Sequence, residues 1–271
     1  MFNNAILAFC HIPKTAGTSA NLMLRRYFGA NLMAARHRPN SKQTYLYNDL
    51  AADAPQFKKL RCISGHCLKP FVDFREFESR LKWFTFLRDP VKRFISHYVH
   101  QQTGDFERHK LGLNEWAEKF DRGNAQVQWI AGEEDLEAAK QIIDEKFAFV
   151  GNVKDFGGSI QEFAELMNLE SFNTYIPRQQ MTIRDTSIRD EILNNFDKYS
   201  ATIERNTELD QRLMDHVATR NWNSDSKVQV TSSDPPSLFR KVGFRIRIAQ
   251  FQVKDKLIYG PFVKRSQNPS N

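Results

Sequence analysis

A lysine, three hydroxyls and a glycine fall together in His11-Ile12-Pro13-Lys14-Thr15-Ala16-Gly17-Thr18-Ser19, between the apolar run Ala5-Ile6-Leu7-Ala8-Phe9 and the helix-like stretch Ala20 to Phe28. This reads as a strand, a tight loop and a helix start. A helix N-terminus presents unpaired N–H groups and a positive dipole end, and Lys14, Thr15, Thr18 and Ser19 add a cation and hydroxyls at the same place. The chemistry on offer is anion binding. The Walker pattern needs two glycines with a lysine directly after the second, whereas here the lysine precedes the glycine. That argues against an ordinary nucleotide triphosphatase, and a kinase would also want magnesium-binding carboxylates placed for it.

A second anion site follows in Trp83-Phe84-Thr85-Phe86-Leu87-Arg88-Asp89-Pro90-Val91-Lys92-Arg93-Phe94-Ile95-Ser96-His97-Tyr98. Phe84 to Leu87 is a short β-prone run, and Pro90 suits the first turn of a helix, where a missing N–H costs nothing. Arg88 then emerges at the strand's carboxyl edge, the edge at which open parallel sheets bind ligands and from which the first loop also departs. A guanidinium fork matches a terminal phosphate, and Ser96 lies about two turns further on. Asp89 reads as a helix cap or a partner that orients Arg88.

These two segments carry a resemblance. The run His11 to Ser19 resembles the loop that holds the 5′-phosphosulfate end of the donor in carbohydrate sulfotransferases, and Trp83 to Tyr98 looks like that family's 3′-phosphate site. The resemblance implies a P-loop-like, three-layer α/β domain with a central parallel sheet flanked by helices, and 3′-phosphoadenosine 5′-phosphosulfate as co-substrate. Carried over residue by residue, Lys14 stabilises charge at the bridging oxygen, and Lys14, Thr15, Ala16, Gly17, Thr18 and Ser19 hold the 5′-phosphate. Arg88 and Ser96 hold the 3′-phosphate. The implied reaction is in-line displacement of a sulfuryl group onto a hydroxyl, foremost that of a carbohydrate.

The base is read as His66. It follows a strand and a glycine, its ordinary pKa near 6.5 suits proton acceptance at neutral pH, and Gly65-His66 resembles the catalytic histidine region of uronyl 2-O-sulfotransferases. A structural role for His66, with a glutamate as base, stays open. His11 is expected to orient the loop, and His97 and His100 to be packing or surface residues. Asn124 to Gly132 is similar to a family segment in which a helix begins at an asparagine near the active site, although the family often has arginine where Trp129 stands. Val150-Gly151 resembles a strand end of the family and equally reads as core plus turn.

The elements that must position these groups are legible in outline. Strands are expected at 60–64 and 148–151, and helical spacing at 71–81, 113–120, 124–131, 135–146, 159–167, 187–196 and 207–219. With 271 residues, 41% of them hydrophobic and 22 phenylalanines among them, the chain can bury a substantial core. Residues 1–222 are read as one sulfotransferase-like domain, 223–237 as a linker, and 238–271 as a basic tail whose alternation at Phe244-Arg245-Ile246-Arg247-Ile248 suggests an edge hairpin.

The net charge of +7 calls for an anionic partner without naming one. Part of it sits in the tail, at Arg240, Lys241, Arg245, Arg247, Lys254 and Lys256, where peripheral membrane contact is an open alternative. No apolar run reaches the roughly 18 residues of a membrane span, and Met1-Phe2-Asn3-Asn4 has neither the basic region nor the cleavage site of a signal peptide. Three cysteines, Cys10, Cys62 and Cys67, form no disulfide framework, and Cys62-His66-Cys67 lacks a fourth ligand at zinc spacing. The expectation is a cytoplasmic enzyme with no metal, a hydroxyl-bearing acceptor and no nucleic-acid partner. The competing reading is a non-catalytic module on the same fold that binds nucleotides or polyanions.

Overall fold

The computed structural model describes residues 5–36, 44–103, 111–119, 123–175, 186–220 and 222. Its sheet follows from alternation within apolar runs. In β1 (Ile6–Cys10), Ile6, Ala8 and Cys10 belong to one core and Leu7 and Phe9 to the other, and all five are buried. A strand covered on both faces is what a parallel sheet between helix layers requires. Four more strands join it, β2 (Leu32–Ala34), β3 (Cys62–Gly65), β4 (Leu81–Leu87) and β5 (Phe147–Asn152), in the parallel order β2-β3-β1-β4-β5.

The helices are α1 (Gly17–Phe28), α2 (Tyr47–Asp53), α3 (Pro90–Thr103), α4 (Leu113–Lys119), α5 (Ala125–Ala131), α6 (Leu136–Lys146), α7 (Phe156–Leu166), α8 (Ser187–Asn194), α9 (Phe196–Arg205) and α10 (Glu208–Ala218). Helices α1 and α7 cover the Leu7–Phe9 face through Ala20, Met23, Leu24, Ile160 and Phe163. Phe163 stacks on Phe84 of the sheet with ring centroids 4.3 Å apart. Helices α5, α6 and α10 cover the opposite face through Val127, Ile130, Ala139, Ile143 and Leu213. The result is a three-layer α/β fold. A third core of α3, α4, α8 and α9 gathers around the fully buried Trp116.

Three expectations are corrected. The strand expected at 60–64, read as the second in the chain, is third, because the short β2 precedes it and pairs with it. Residues 71–81 form no α-helix: Asp73 and Glu78 accept the backbone N–H groups of Arg75 and Phe74, Arg75 turns left-handed at φ 51°, and a 3-10 segment Arg75–Arg80 runs straight into β4. Side chains that capture local N–H groups in this way compete with helix nucleation. The helix expected at 187–196 stops at Asn194 and a separate α9 follows. The linker 223–237 and the tail 238–271 lie outside the described residues, as does the polar stretch 37–43.

Topology places the site. From β1 the chain crosses to the β2–β3 side of the sheet and from β4 to the β5 side, so the carboxyl ends of β1 and β4 flank the crevice where the winding reverses.

Candidate active site

The first loop leaves β1 into that crevice. Lys14 and Ala16 both adopt positive φ, at 69° and 60°, and Ala16 caps α1 in the left-handed region. Non-glycine residues held there mark stored strain, and turns of this kind direct successive N–H groups into one concavity. The first intrahelical bonds of α1 run from the Ser19 and Ala20 N–H groups to the Ala16 carbonyl, so the N–H groups of Gly17 and Thr18 precede the ladder. Thr15 is fully buried, and its hydroxyl donates to the Ile12 carbonyl at 2.9 Å. That hydroxyl therefore braces the loop, and what Thr15 offers an anion is its N–H. Thr18 is exposed and Ser19 half-buried at the helix start. Gly17 has a steric reason: a Cβ there would lie 1.7 Å from His11 Nε2.

The second segment reaches the same place. β4 ends at Leu87, and the Arg88 guanidinium donates through Nη1 to the Lys14 carbonyl at 3.1 Å. Burial lowers the Arg88 pKa from its ordinary value, the Asp89 charge raises it and Arg93 lowers it. Asp89 accepts the Lys92 N–H at 2.8 Å and so caps α3, in which Pro90 is the first residue. Ser96 lies half-buried one turn beyond Arg93 on α3. His97 packs edge-on to Trp116, at 5.5 Å between centroids.

The Arg88 backbone is clamped. The fully buried Gln126 side chain accepts the Arg88 N–H at 2.9 Å and donates to the Arg88 carbonyl at 2.9 Å. Gln126 is fixed in turn, because its N–H and that of Val127 donate to the two oxygens of Asp210 at 3.1 and 2.9 Å. Asp210 and Arg93 face each other at 3.8 Å with both side chains fully buried. Burial pushes the Asp210 carboxyl up to about 6, opposed by the Arg93 charge and the two N–H donors. Asn124, left-handed at φ 53°, accepts the Leu209 N–H at 2.9 Å and so locks the start of α5 against α10.

The base candidate sits on the other side of β1. Parallel pairing sets Cys10 beside Gly65, so the two chains leave the sheet together and His66 comes to lie against His11. His66 Nδ1 donates to the His11 carbonyl at 2.8 Å, and the two rings stack with centroids 3.7 Å apart. A Cβ on Gly65 would lie 2.1 Å from the Ala35 carbonyl, so only glycine admits the chain beyond β2 at this point. Burial lowers the His66 pKa and Lys69 adds to this, against the hydrogen bond to His11. The residue as a whole stays exposed, so the cost to its charged form comes from the covered face and not from enclosure. His11 is 8% exposed, and burial, with His66, Arg25 and Lys69, brings its pKa down to about 3.

Lys69 follows on the same loop, 7% exposed, with its ammonium 3.1 Å from the centroid of the Trp129 ring. A cation thus meets the position where the resembling family often carries one, but from another element. The signals for the polar residues around these side chains were faint. Asp210 is an acidic residue on the apolar face it shares with Leu213 of α10, and Asn21 lies one helical turn after Gly17.

Cys10 and Cys62 are buried and Cys67 is half-buried, all as free thiols. Among the described residues no group of three histidine, cysteine, aspartate or glutamate side chains could hold a metal ion, and no helix is long and apolar enough to cross a membrane. An open cavity of about 590 Å³ lined by Glu133, Glu134, Asp135, Glu137 and Arg212 shares no residue with the crevice.

A three-layer fold with a central parallel sheet, a strained loop at a helix start and a strand-end arginine at one crevice defines the class as a doubly wound α/β domain. The profile of the sulfotransferase family matches residues 2–225, and the chain belongs to that family. No match is found among curated proteins.

Proposed function

We propose that this sulfotransferase uses 3′-phosphoadenosine 5′-phosphosulfate and acts on a hydroxyl of a carbohydrate, with His66 as base. The observation that carries the reading is the hydrogen bond from Arg88 to the Lys14 carbonyl, at 3.1 Å, because it sets a phosphate-matching guanidinium beside a strained, N–H-rich loop. The residues suit a donor with an anion at each end. The N–H groups of residues 15–18 with Ser19 and Lys14 take the 5′ end, and Arg88 with Ser96 takes the 3′-phosphate. When bound, the nucleotide supplies the sulfuryl group.

Lys14 neutralises the negative charge that develops on the leaving phosphate oxygen, the kind of fixed charge that lowers such barriers most. The hydrogen bond from His66 Nδ1 leaves Nε2 as the atom that accepts the acceptor hydroxyl's proton while its oxygen bonds to sulfur. The testing experiment is a calorimetric titration of adenosine 3′,5′-bisphosphate, without metal, into wild type and Arg88→Ala. About micromolar binding that the variant loses supports the reading; a folded wild type that does not bind overturns it.

A further inference from the structure

Behind His66 runs a polar relay of side chains, which touches the donor cradle where the His11 ring packs on Gly17. The Ser64 hydroxyl at the end of β3 donates to the side-chain carbonyl of Asn21 on α1. The Asn21 amide donates to His11 Nδ1 at 3.0 Å. The His11 ring in turn stacks on Phe9, at 5.4 Å and 9°, and on His66, at 3.7 Å and 27°. Three elements, β3, α1 and the loop after β1, thus meet in one chain of contacts that ends on the base.

The partners dictate where the protons sit. A carbonyl only accepts, so the His66 Nδ1 that meets the His11 carbonyl carries hydrogen, and Nε2 of the neutral ring is bare. His11 Nδ1 receives an amide N–H, so the hydrogen of His11 is on Nε2. The two stacked imidazoles hold opposite tautomers. A free imidazole side chain favours hydrogen on Nε2, which would disable His66 as a base, so the fold has to impose the less common form. It must also keep His11 uncharged, since two imidazolium rings at this separation repel. The charges that face the pair are Arg25 on α1 and Lys69 on the loop after β3, and both oppose a further proton. The adjacent Cys10 thiol, pushed up to about 12 by burial, stays neutral.

We propose that Ser64, Asn21 and His11 are positioning residues that hold His66 as a δ-protonated base with Nε2 as its proton-accepting atom. The proposal rests on His66 being the base. It predicts that loss of the relay changes the state of His66 while leaving the donor site intact.

The test is 15N NMR of the histidine-labelled full chain over a pH series, in wild type, Asn21→Leu and Ser64→Ala, beside titration with adenosine 3′,5′-bisphosphate. In wild type His66 carries hydrogen on Nδ1, its midpoint lies below 6.5, and His11 stays neutral down to about pH 4. In Asn21→Leu the His66 tautomers mix, while bisphosphate affinity stays within about threefold. Ser64→Ala, the milder change, moves the same signals in the same direction if Asn21→Leu does not fold. Hydrogen on His66 Nε2 in wild type, or an unmoved His66 in a folded variant that binds the bisphosphate normally, overturns the proposal alone. Absence of bisphosphate binding by wild type overturns the donor reading, and the proposal with it.

Discussion

Arg88 is held at its backbone and left to act through its side chain. Gln126 satisfies its N–H and carbonyl, while the guanidinium spends Nη1 on the Lys14 carbonyl and keeps further N–H donors in fork geometry. An ammonium at this place is a point charge without the fork. Arg88→Lys is therefore expected to weaken adenosine 3′,5′-bisphosphate binding about tenfold and Arg88→Ala about a hundredfold, as charged hydrogen bonds of ~1.5–3 kcal/mol imply. Calorimetry reads both, and equal affinity of the lysine variant and wild type refutes the fork. His66 leads to a second residue-level expectation. A base works when neutral, and covering one face lowers the pKa of this ring, so the acid limb of a pH–rate profile for labelled sulfuryl transfer should lie below 6.5. Its removal in His66→Ala assigns it, and a limb at or above 6.5 speaks against His66. The places of Lys14, Gly17 and Arg88 were legible in the sequence because a strand end and a helix start are local patterns. Asn21, Ser64 and Gln126 were not, because a neutral amide or hydroxyl declares its purpose only through partners that the fold brings from elsewhere.

At the scale of elements, the strand ends set the registers and the first turns of the helices set the charges. β1, β4 and β5 could be read from apolar runs, and α1, α5, α6 and α10 from their periodicity. β2 could not, since its three residues carry no alternation long enough to separate it from the end of α1. The failure at 71–81 has a comparable cause, because helical spacing says nothing about carboxylates that capture the N–H groups of the first turn. Helix α5 is the element on which the place of Arg88 depends, since its first turn carries Gln126 and is bound to Asp210 of α10. Gln126→Ala leaves two part-buried backbone groups of Arg88 without their partner, at up to ~1–3 kcal/mol each. The expected outcome is a clear loss of stability in urea together with about tenfold weaker bisphosphate binding, and a destabilised protein that binds normally would show that the clamp does not position Arg88. Gly17→Ala acts on the other element: its Cβ would displace the His11 ring, with ~1–3 kcal/mol of strain and a disturbed cradle, measurable by the same two methods.

For the molecule as a whole, the two apolar layers dominate stability, while the dependence of stability on pH is written by the few ionisable groups buried between sheet and helices. His11 and Asp210 act with opposite sign. The folded pKa of His11, about 3, lies far below its ordinary 6.5, so as pH falls from 6.5 the unfolded chain takes up a proton that the folded ring refuses, and stability is lost. The Asp210 carboxyl, raised to about 6 from 3.8, contributes stability that is present below 3.8 and lost as pH rises through about 6. Over mildly acid pH the two tend to offset each other, and the profile of the wild type alone hides both. A difference between variants separates them. His11→Asn keeps an acceptor near the Nδ1 position for Asn21 but does not titrate, and the volume it loses costs the same at every pH. Urea unfolding should therefore show wild type losing ~1.6 kcal/mol relative to His11→Asn between pH 6.5 and pH 5, with a slope that approaches about 1.4 kcal/mol per pH unit at the acid end. Asp210 is present in both proteins and cancels. A constant difference across that range would mean that His11 titrates normally, and the stacked neutral pair at the end of β1 would then fail as an account of the site.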